Sequence, residues 1–183
     1  MFSVRVLGID PGSRYCGFGV VEDVGGTRVR HLAHGVLSLG EHRAIGDRLR
    51  DLHEGLERAL REHRPEIVAV EDVFHARNAR SALVLGQARG VALLAAAQSG
   101  AKIRSYAPSV IKQAVTGTGR AEKEQVGRMV AVLLGISVTG RLDASDALAA
   151  AICGLLRARM PEPPPRTTPR SDWRLSFAQR RRA

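Results

Sequence analysis

Three short acidic stretches hold the residues of this 183-residue chain best suited to chemistry. Gly8-Ile9-Asp10-Pro11-Gly12-Ser13 puts a carboxylate where an apolar run gives way to a turn, the position at which open α/β sheets hold ligands. Taken alone, Asp10 also reads as a turn residue satisfying backbone amides ahead of Pro11 and Gly12. Glu71-Asp72 closes Ile67-Val68-Ala69-Val70, the most apolar strand-like run. Successive strand residues point to opposite faces, so at most one of these two shares a site with Asp10, and parity alone does not choose. Asp143-Ala144-Ser145-Asp146 opens an apolar helix predicted over Ala147 to Leu156, with two acids three apart on one face. Capping and the helix dipole would explain one or both of them without catalysis.

A fold that collected Asp10, one of the 71/72 pair, Asp143 and Asp146 would meet a like-charge cost of about 4 kcal/mol per pair at 4 Å. Something positive must compensate. Oxygen donors without a Cys/His set favour a hard cation, Mg²⁺ or Mn²⁺. Two such ions, about 3.5–4 Å apart, suit an in-line displacement at a phosphodiester. Cys16 and Cys153 are far apart, with no zinc-site spacing, and read as buried free thiols. No Ser/His/Asp arrangement stands out, and the six histidines fall mostly in polar segments expected to be exposed, which disfavours a covalent mechanism.

The elements that must position these acids follow from periodicity. Val4, Val6 and Ile9, then Phe18 to Val21, then Val29 to Leu39, with Gly25-Gly26 between the last two, predict a three-stranded antiparallel meander. Ile45, Leu49, Leu52, Leu56 and Leu60 recur at helical spacing and stop before Pro65. Residues 67–70 and, more weakly, Lys102 to Tyr106 read as buried strands, with a helix from Ala79 to Ala97 between them. Helical patterns resume after Pro108, Glu122 and Asp143. The order β-β-β-α-β-α-β-α-α-α packs naturally as an α/β three-layer sandwich around a mixed five-stranded sheet.

Composition bounds the rest. Lys and Arg outnumber Asp and Glu by 28 to 18, and the net charge of +10 concentrates polyanions, nucleic acid first. Five of the eight prolines fall after residue 160, so the chain divides into a folded domain, 1–159, and a Pro/Arg-rich tail, 160–183, expected to be disordered. Six arginines against Glu162 and Asp172 give that tail +4, which leaves +6 on the domain. Stretches free of charge reach only twelve residues, as from Gly90 to Ala101, against the roughly 18–20 a membrane span needs. Arg5 and Asp10 interrupt any secretory signal, so a cytoplasmic location is expected.

With these residues in place, the chain resembles the RuvC-type Holliday junction resolvases of the ribonuclease H-like superfamily. The resemblance is carried by Gly8 to Arg14 with Gly17-Phe18-Gly19, by Glu71 to Phe74 with Arg77-Asn78, by Ser81-Ala82-Leu83 and Leu85 to Gly90, by Lys112 to Gly119 with Ala121-Glu122-Lys123, and by Asp143 to Ala149. It spans residues 4 to 152. It implies that Asp10, Glu71, Asp143 and Asp146 form a two-metal site, with Glu71 chosen over Asp72. It further implies that Lys112 and Lys123 contact phosphates and that Phe74 wedges into the opened junction centre, where stacking on a base is worth about 1–3 kcal/mol. Arg77 joins them as a DNA contact, with Arg14, Arg80 and Arg120 as further candidates.

The same resemblance implies a homodimer that nicks two opposing strands of four-way junction DNA in recombination and repair, with a RuvA–RuvB branch-migration motor as a partner. Ala82, Gly86 and Gly90, spaced by four, form a small-residue ridge suited to that dimer seam, or else to packing against the chain's own sheet. Other readings are a shorter YqgF-like nuclease sharing the site, a junction-binding protein without catalysis, and an actin-like ATPase, for which 159 ordered residues are too few.

Overall fold

The computed structural model describes residues 3–26, 28–40, 42–72, 79–136 and 142–160. Phe74, Arg77 and the tail beyond Met160 lie outside them. Strands β1 (Arg5–Asp10), β2 (Tyr15–Asp23) and β3 (Val29–Ser38) form the expected antiparallel meander. Gly25 and Gly26, both at positive φ, supply the left-handed backbone of the β2–β3 turn. Helix α1 (Ile45–His63) ends at Arg64, which is left-handed and donates its N–H to the Leu60 carbonyl at 2.9 Å, just ahead of Pro65.

Strand β4 (Ile67–Glu71) then pairs parallel with β1, helix α2 (Ala79–Gln98) crosses over, and β5 (Lys102–Tyr106) pairs parallel with β4. The mixed sheet has the order β3-β2-β1-β4-β5. Helices α3 (Pro108–Thr116), α4 (Lys123–Leu134) and α5 (Leu142–Ala158) complete the chain of elements.

Strand alternation divides the interior into two cores. Leu7, Ile9, Val68 and Val70 face one way and bury Leu52, Leu56 and Leu60 of α1 with Ala88, Ala92 and Ala96 of α2. Val6, Val21, Ile67 and Ala69 face the other way, against α3, α4 and above all α5. The result is the three-layer sandwich expected from the element order.

Helix α5 lies unusually close to the sheet because residues without side chains meet there. A Cβ on Gly8 would collide with the Ala147 carbonyl oxygen, and one on Gly17 with that of Asp143. A Cβ on Gly19 would fall 2.7 Å from the Leu148 side chain, and one on Gly154 would fall 2.9 Å from Val6 and Ala69. Just past the end of α5, Arg159 clamps Asp23 of β2 through two bonds of 2.8 and 3.0 Å.

Helix α2 has the opposite character. It buries alanines and exposes Leu83 and Leu94, 64% and 52% accessible, together with Ala82, Gly86 and Gly90. The alternative of this ridge packing on the chain's own sheet is therefore corrected. A Cβ at Gly86 or Gly90 would meet nothing within 4 Å.

Two further expectations are revised. Among the described histidines only His42 is exposed; the others are half-buried, and His31 and His34 share a contact of 2.8 Å between Nε2 and Nδ1. They are packed groups held by tertiary contacts that local polarity does not register. Helix α5 begins at Leu142, earlier than expected, so Asp143 sits in its first turn. Cys16 and Cys153 are buried free thiols, as expected. Among the described residues, no helix is long and apolar enough to cross a membrane.

Candidate active site

The register of β1 on β4 resolves what parity left open. Val6 lies beside Ile67, Gly8 beside Ala69 and Ile9 beside Val70, so the next step along each parallel strand sets Asp10 beside Glu71. Both follow the residues that face α5, at the C-terminal ends of adjacent strands. Asp72 follows the opposite alternation, and its carboxylate is ion-paired with Arg89 of α2.

The glycine contacts bring the start of α5 onto this strand end. Asp146 joins Asp10 and Glu71 in lining a cleft of about 420 Å³, with Lys112 of α3 and Lys123 of α4 among its walls. Lys123 Nζ lies 2.5 Å from Asp146 Oδ2. Pro11, Leu85, Pro108, Ile111, Val126 and Ala149 give the cleft an apolar remainder. Asp143 does not line it, yet its charge is felt by both Asp10 and Asp146.

The cost of this gathering falls on Asp10, Glu71 and Asp146, whose carboxyl pKa values are all raised. Burial, then the charges of Glu71 and Asp146, push the Asp10 carboxyl well above the usual range, and Lys123 only partly offsets them. Burial and Asp146 raise Glu71, against a hydrogen bond from Asp10 and the pull of Lys123 and Lys112. Burial raises Asp146 despite its bond to Lys123. Lys123 itself is drawn down by burial, but Asp146, Asp10 and Asp143 raise it overall. The cleft thus holds more negative charge than its lysines neutralise, a condition that favours an added cation.

Of the sequence-identified residues, the structure gathers Asp10, Glu71, Asp146, Lys112 and Lys123 at one cleft, with Asp72 on its border, paired to Arg89, and Asp143 outside its lining. It leaves Ala82, Gly86 and Gly90 on the outer face of α2. Sequence reasoning missed the supports: Gly8, Gly17 and Gly19 under α5, and Arg48 of α1, which donates to the Ser13 carbonyl in the turn after Asp10. The glycines at 17 and 19 share strand parity, which is a legible signal of a close approach on one face.

Carboxylates at the ends of two adjacent parallel strands, completed by a helix laid across a sheet of this order, define a nuclease domain of the ribonuclease H-like class. The family model for the crossover junction endodeoxyribonuclease RuvC matches residues 6–154. The RuvC of Myxococcus xanthus (strain DK1622) is 55% identical over 162 residues, 87% of this chain and 84% of that protein. That of Geobacter sulfurreducens is 49% identical over 150 residues, 82% and 91% of the two chains. A structure of T. thermophilus RuvC in complex with a Holliday junction substrate superposes with a TM-score of 0.80 at 36% identity, covering 85% of this chain and 95% of that one. The chain belongs to the RuvC family of crossover junction endodeoxyribonucleases.

Proposed function

We propose that this protein resolves Holliday junctions by metal-dependent hydrolysis of a phosphodiester on each of two opposing strands, with Asp10, Glu71, Asp146 and Asp143 as the metal-binding acids. The observation that supports this most directly is the overcharged cleft, in which three acids are pushed upward in pKa beside only two lysines.

The donors suit a hard divalent ion because all are carboxylate oxygens. Among the described residues no three Asp, Glu, His or Cys side chains converge tightly enough to enclose an ion as they stand. Lys123 holds Asp146 to itself in this arrangement, so loading requires the ammonium to give way. Two Mg²⁺ or Mn²⁺ ions bound there supply activation of the attacking water and stabilisation of the departing oxygen.

The chain's own groups do the rest. Lys112 and Lys123 hold the phosphate flanking the cut, and the apolar walls from Leu85, Ile111 and Val126 limit bulk water in the cleft. Attack of water on phosphorus with breakage of the bond to the 3′-oxygen leaves a 5′-phosphate and a 3′-hydroxyl, ends that a ligase can rejoin.

Cutting two strands symmetrically needs two sites. The exposed face of α2, with Ala82, Gly86 and Gly90 beside exposed Leu83 and Leu94, supplies the homodimer seam. A two-fold dimer suits a pseudo-symmetric junction. Phe74 and Arg77 contribute the wedge and a phosphate contact. The nuclease domain is residues 1–159, consistent with α5 ending at Ala158, and 160–183 is a basic tail. Work on DNA in the cytoplasm, alongside a RuvA–RuvB motor, completes the reading.

The test is cleavage of an end-labelled synthetic four-way junction beside its linear duplex, with Mg²⁺, Mn²⁺ or EDTA. Paired, symmetric, metal-dependent nicks confined to the junction are expected. Equal cutting of the linear duplex would move the assignment to a general nuclease, and binding without cuts under either metal would leave a binding module.

A further inference from the structure

Glu71 reaches the cleft from the last position of β4, and Asp72, which follows it and also borders the cleft, is tied to β5 and α2. The Asp72 N–H donates to the Tyr106 carbonyl of β5 at 2.9 Å. Its carboxylate is paired with Arg89, whose same Nη2 also donates to Ser105 Oγ at 2.9 Å. The backbone from 71 to 72 is therefore fastened by β5 and, through one guanidinium, by α2. Arg89 Nε is buried and, among the described residues, has no hydrogen-bond partner, as is also the case for Arg48 Nε. Along α2, Arg89 lies next to Gly90 and one turn from Gly86, on whose open side a Cβ would meet nothing.

We propose that Arg89 is a positioning residue for Glu71, acting through Asp72. This rests on reading the cleft as a metal-dependent nuclease site. Arg89 touches neither substrate nor metal in that role. It sets where the Glu71 carboxylate stands relative to Asp10 and Asp146.

The experiment measures Mn²⁺ affinity by electron paramagnetic resonance titration of the full-length protein, without DNA, for wild type, Arg89→Met, Asp72→Asn, the double variant and Arg89→Lys. Supporting partners of metal ligands affect affinity by about 10–100-fold. Arg89→Met and Asp72→Asn should each weaken Mn²⁺ binding about 10-fold, the double variant no further, and Arg89→Lys should recover part of the loss. Junction affinity in EDTA and Tm without metal should stay near wild type. Asp72→Asn, a near-isosteric change, keeps the test decisive if Arg89→Met folds poorly.

Unchanged Mn²⁺ affinity in Asp72→Asn, or losses that add in the double variant, overturns the proposal. A wild type that cuts junctions while the variants bind Mn²⁺ normally removes the proposal and leaves the nuclease reading intact. A wild type that binds Mn²⁺ with the expected variant losses but cuts nothing does the reverse. A wild type that binds no Mn²⁺ overturns both.

Discussion

Lys123 Nζ sits 2.5 Å from Asp146 Oδ2, so the positive charge nearest the acidic cleft comes from α4 and is held by the first turns of α5. That contact makes Asp146 a joint between two helices as well as a candidate metal ligand, and the two roles separate by substitution.

Asp146→Asn should leave folding and junction binding intact and reduce cutting to background. The change is isosteric, removes a ligand and takes one negative charge away from the phosphate path, so junction affinity in EDTA should equal or exceed that of wild type. Gel-shift titration with a junction cleavage assay checks both. A variant that fails to fold would mean that the Lys123 contact is chiefly structural.

Asp10, Glu71 and Asp146 bind protons more tightly in the folded chain than in the unfolded one, because burial and mutual repulsion raise all three. Without metal, the contribution of these three acids to stability is therefore greatest below the unfolded values near about 4 and falls as pH rises through the raised folded values. Millimolar Mg²⁺ or Mn²⁺ at pH 8 should raise Tm by removing that penalty. A ligand at 100 times its dissociation constant adds about 2.7 kcal/mol. Thermal melts at pH 5 and pH 8, with metal and with EDTA, should show the larger metal-induced gain at pH 8; equal gains would count against the charge argument.

Gly8→Ala should lower stability by about 1–3 kcal/mol, the usual range for forcing extra volume into a packed interior. The added methyl has nowhere to go but into the Ala147 carbonyl oxygen and the backbone nitrogen of Ala151. Moving α5 outward shifts Asp146 with it, so cutting should fall more than stability does. Cleavage rates under conditions where the variant remains folded check this, and full activity there would show that α5 accommodates the methyl locally.

Gly86→Glu places a charge in the middle of the exposed α2 face, where nothing in the chain's own fold obstructs it. The isolated chain should keep its Tm, while sedimentation should show a shift from dimer to monomer, with paired nicking of the junction lost. A dimer of unchanged affinity would place the seam elsewhere.

Buried Glu22 provides a control remote from the cleft. Hydrogen bonds from Arg30 and Arg5 hold its carboxyl down at about 2, which joins β1, β2 and β3 through one acid. A depressed carboxylate stabilises the fold above its unfolded value, about 4.3, and loses that contribution as pH falls toward 2. Glu22→Gln should therefore cost about 2 kcal/mol at pH 7 after allowing for the exposure of its arginines, and much less near pH 2. Urea melts at the two pH values measure the difference.

Much of the architecture was legible because its signals are local. The leucine stripe of α1 and the apolar run of β4 each report their element within a few residues. Glu71 against Asp72 was not legible from alternation, since the answer depends on which residue of β1 stands beside which residue of β4. Backbone pairing decides that, and pairing joins residues about sixty positions apart. Helix α2 was legible as a helix, but its burial pattern was not: Ala88, Ala92, Ala95 and Ala96 are buried while Leu83 and Leu94 are exposed, the reverse of what hydrophobicity suggests. The early start of α5 and the half-buried histidines were missed for the same reason, because the packing that sets them comes from distant segments.

The glycine floor beneath α5 has a consequence for how sequence variation in this protein should be judged. The spacing between Asp10 on β1 and the acids on α5 is set by main chain resting on main chain at Gly8 and Gly17, and by the Leu148 side chain resting on bare backbone at Gly19. A single methyl at Gly8, Gly17 or Gly19 alters that spacing. Ranking variants by distance from the reacting atoms would therefore misjudge this domain: three of its most sensitive positions have no side chain with which to touch a substrate.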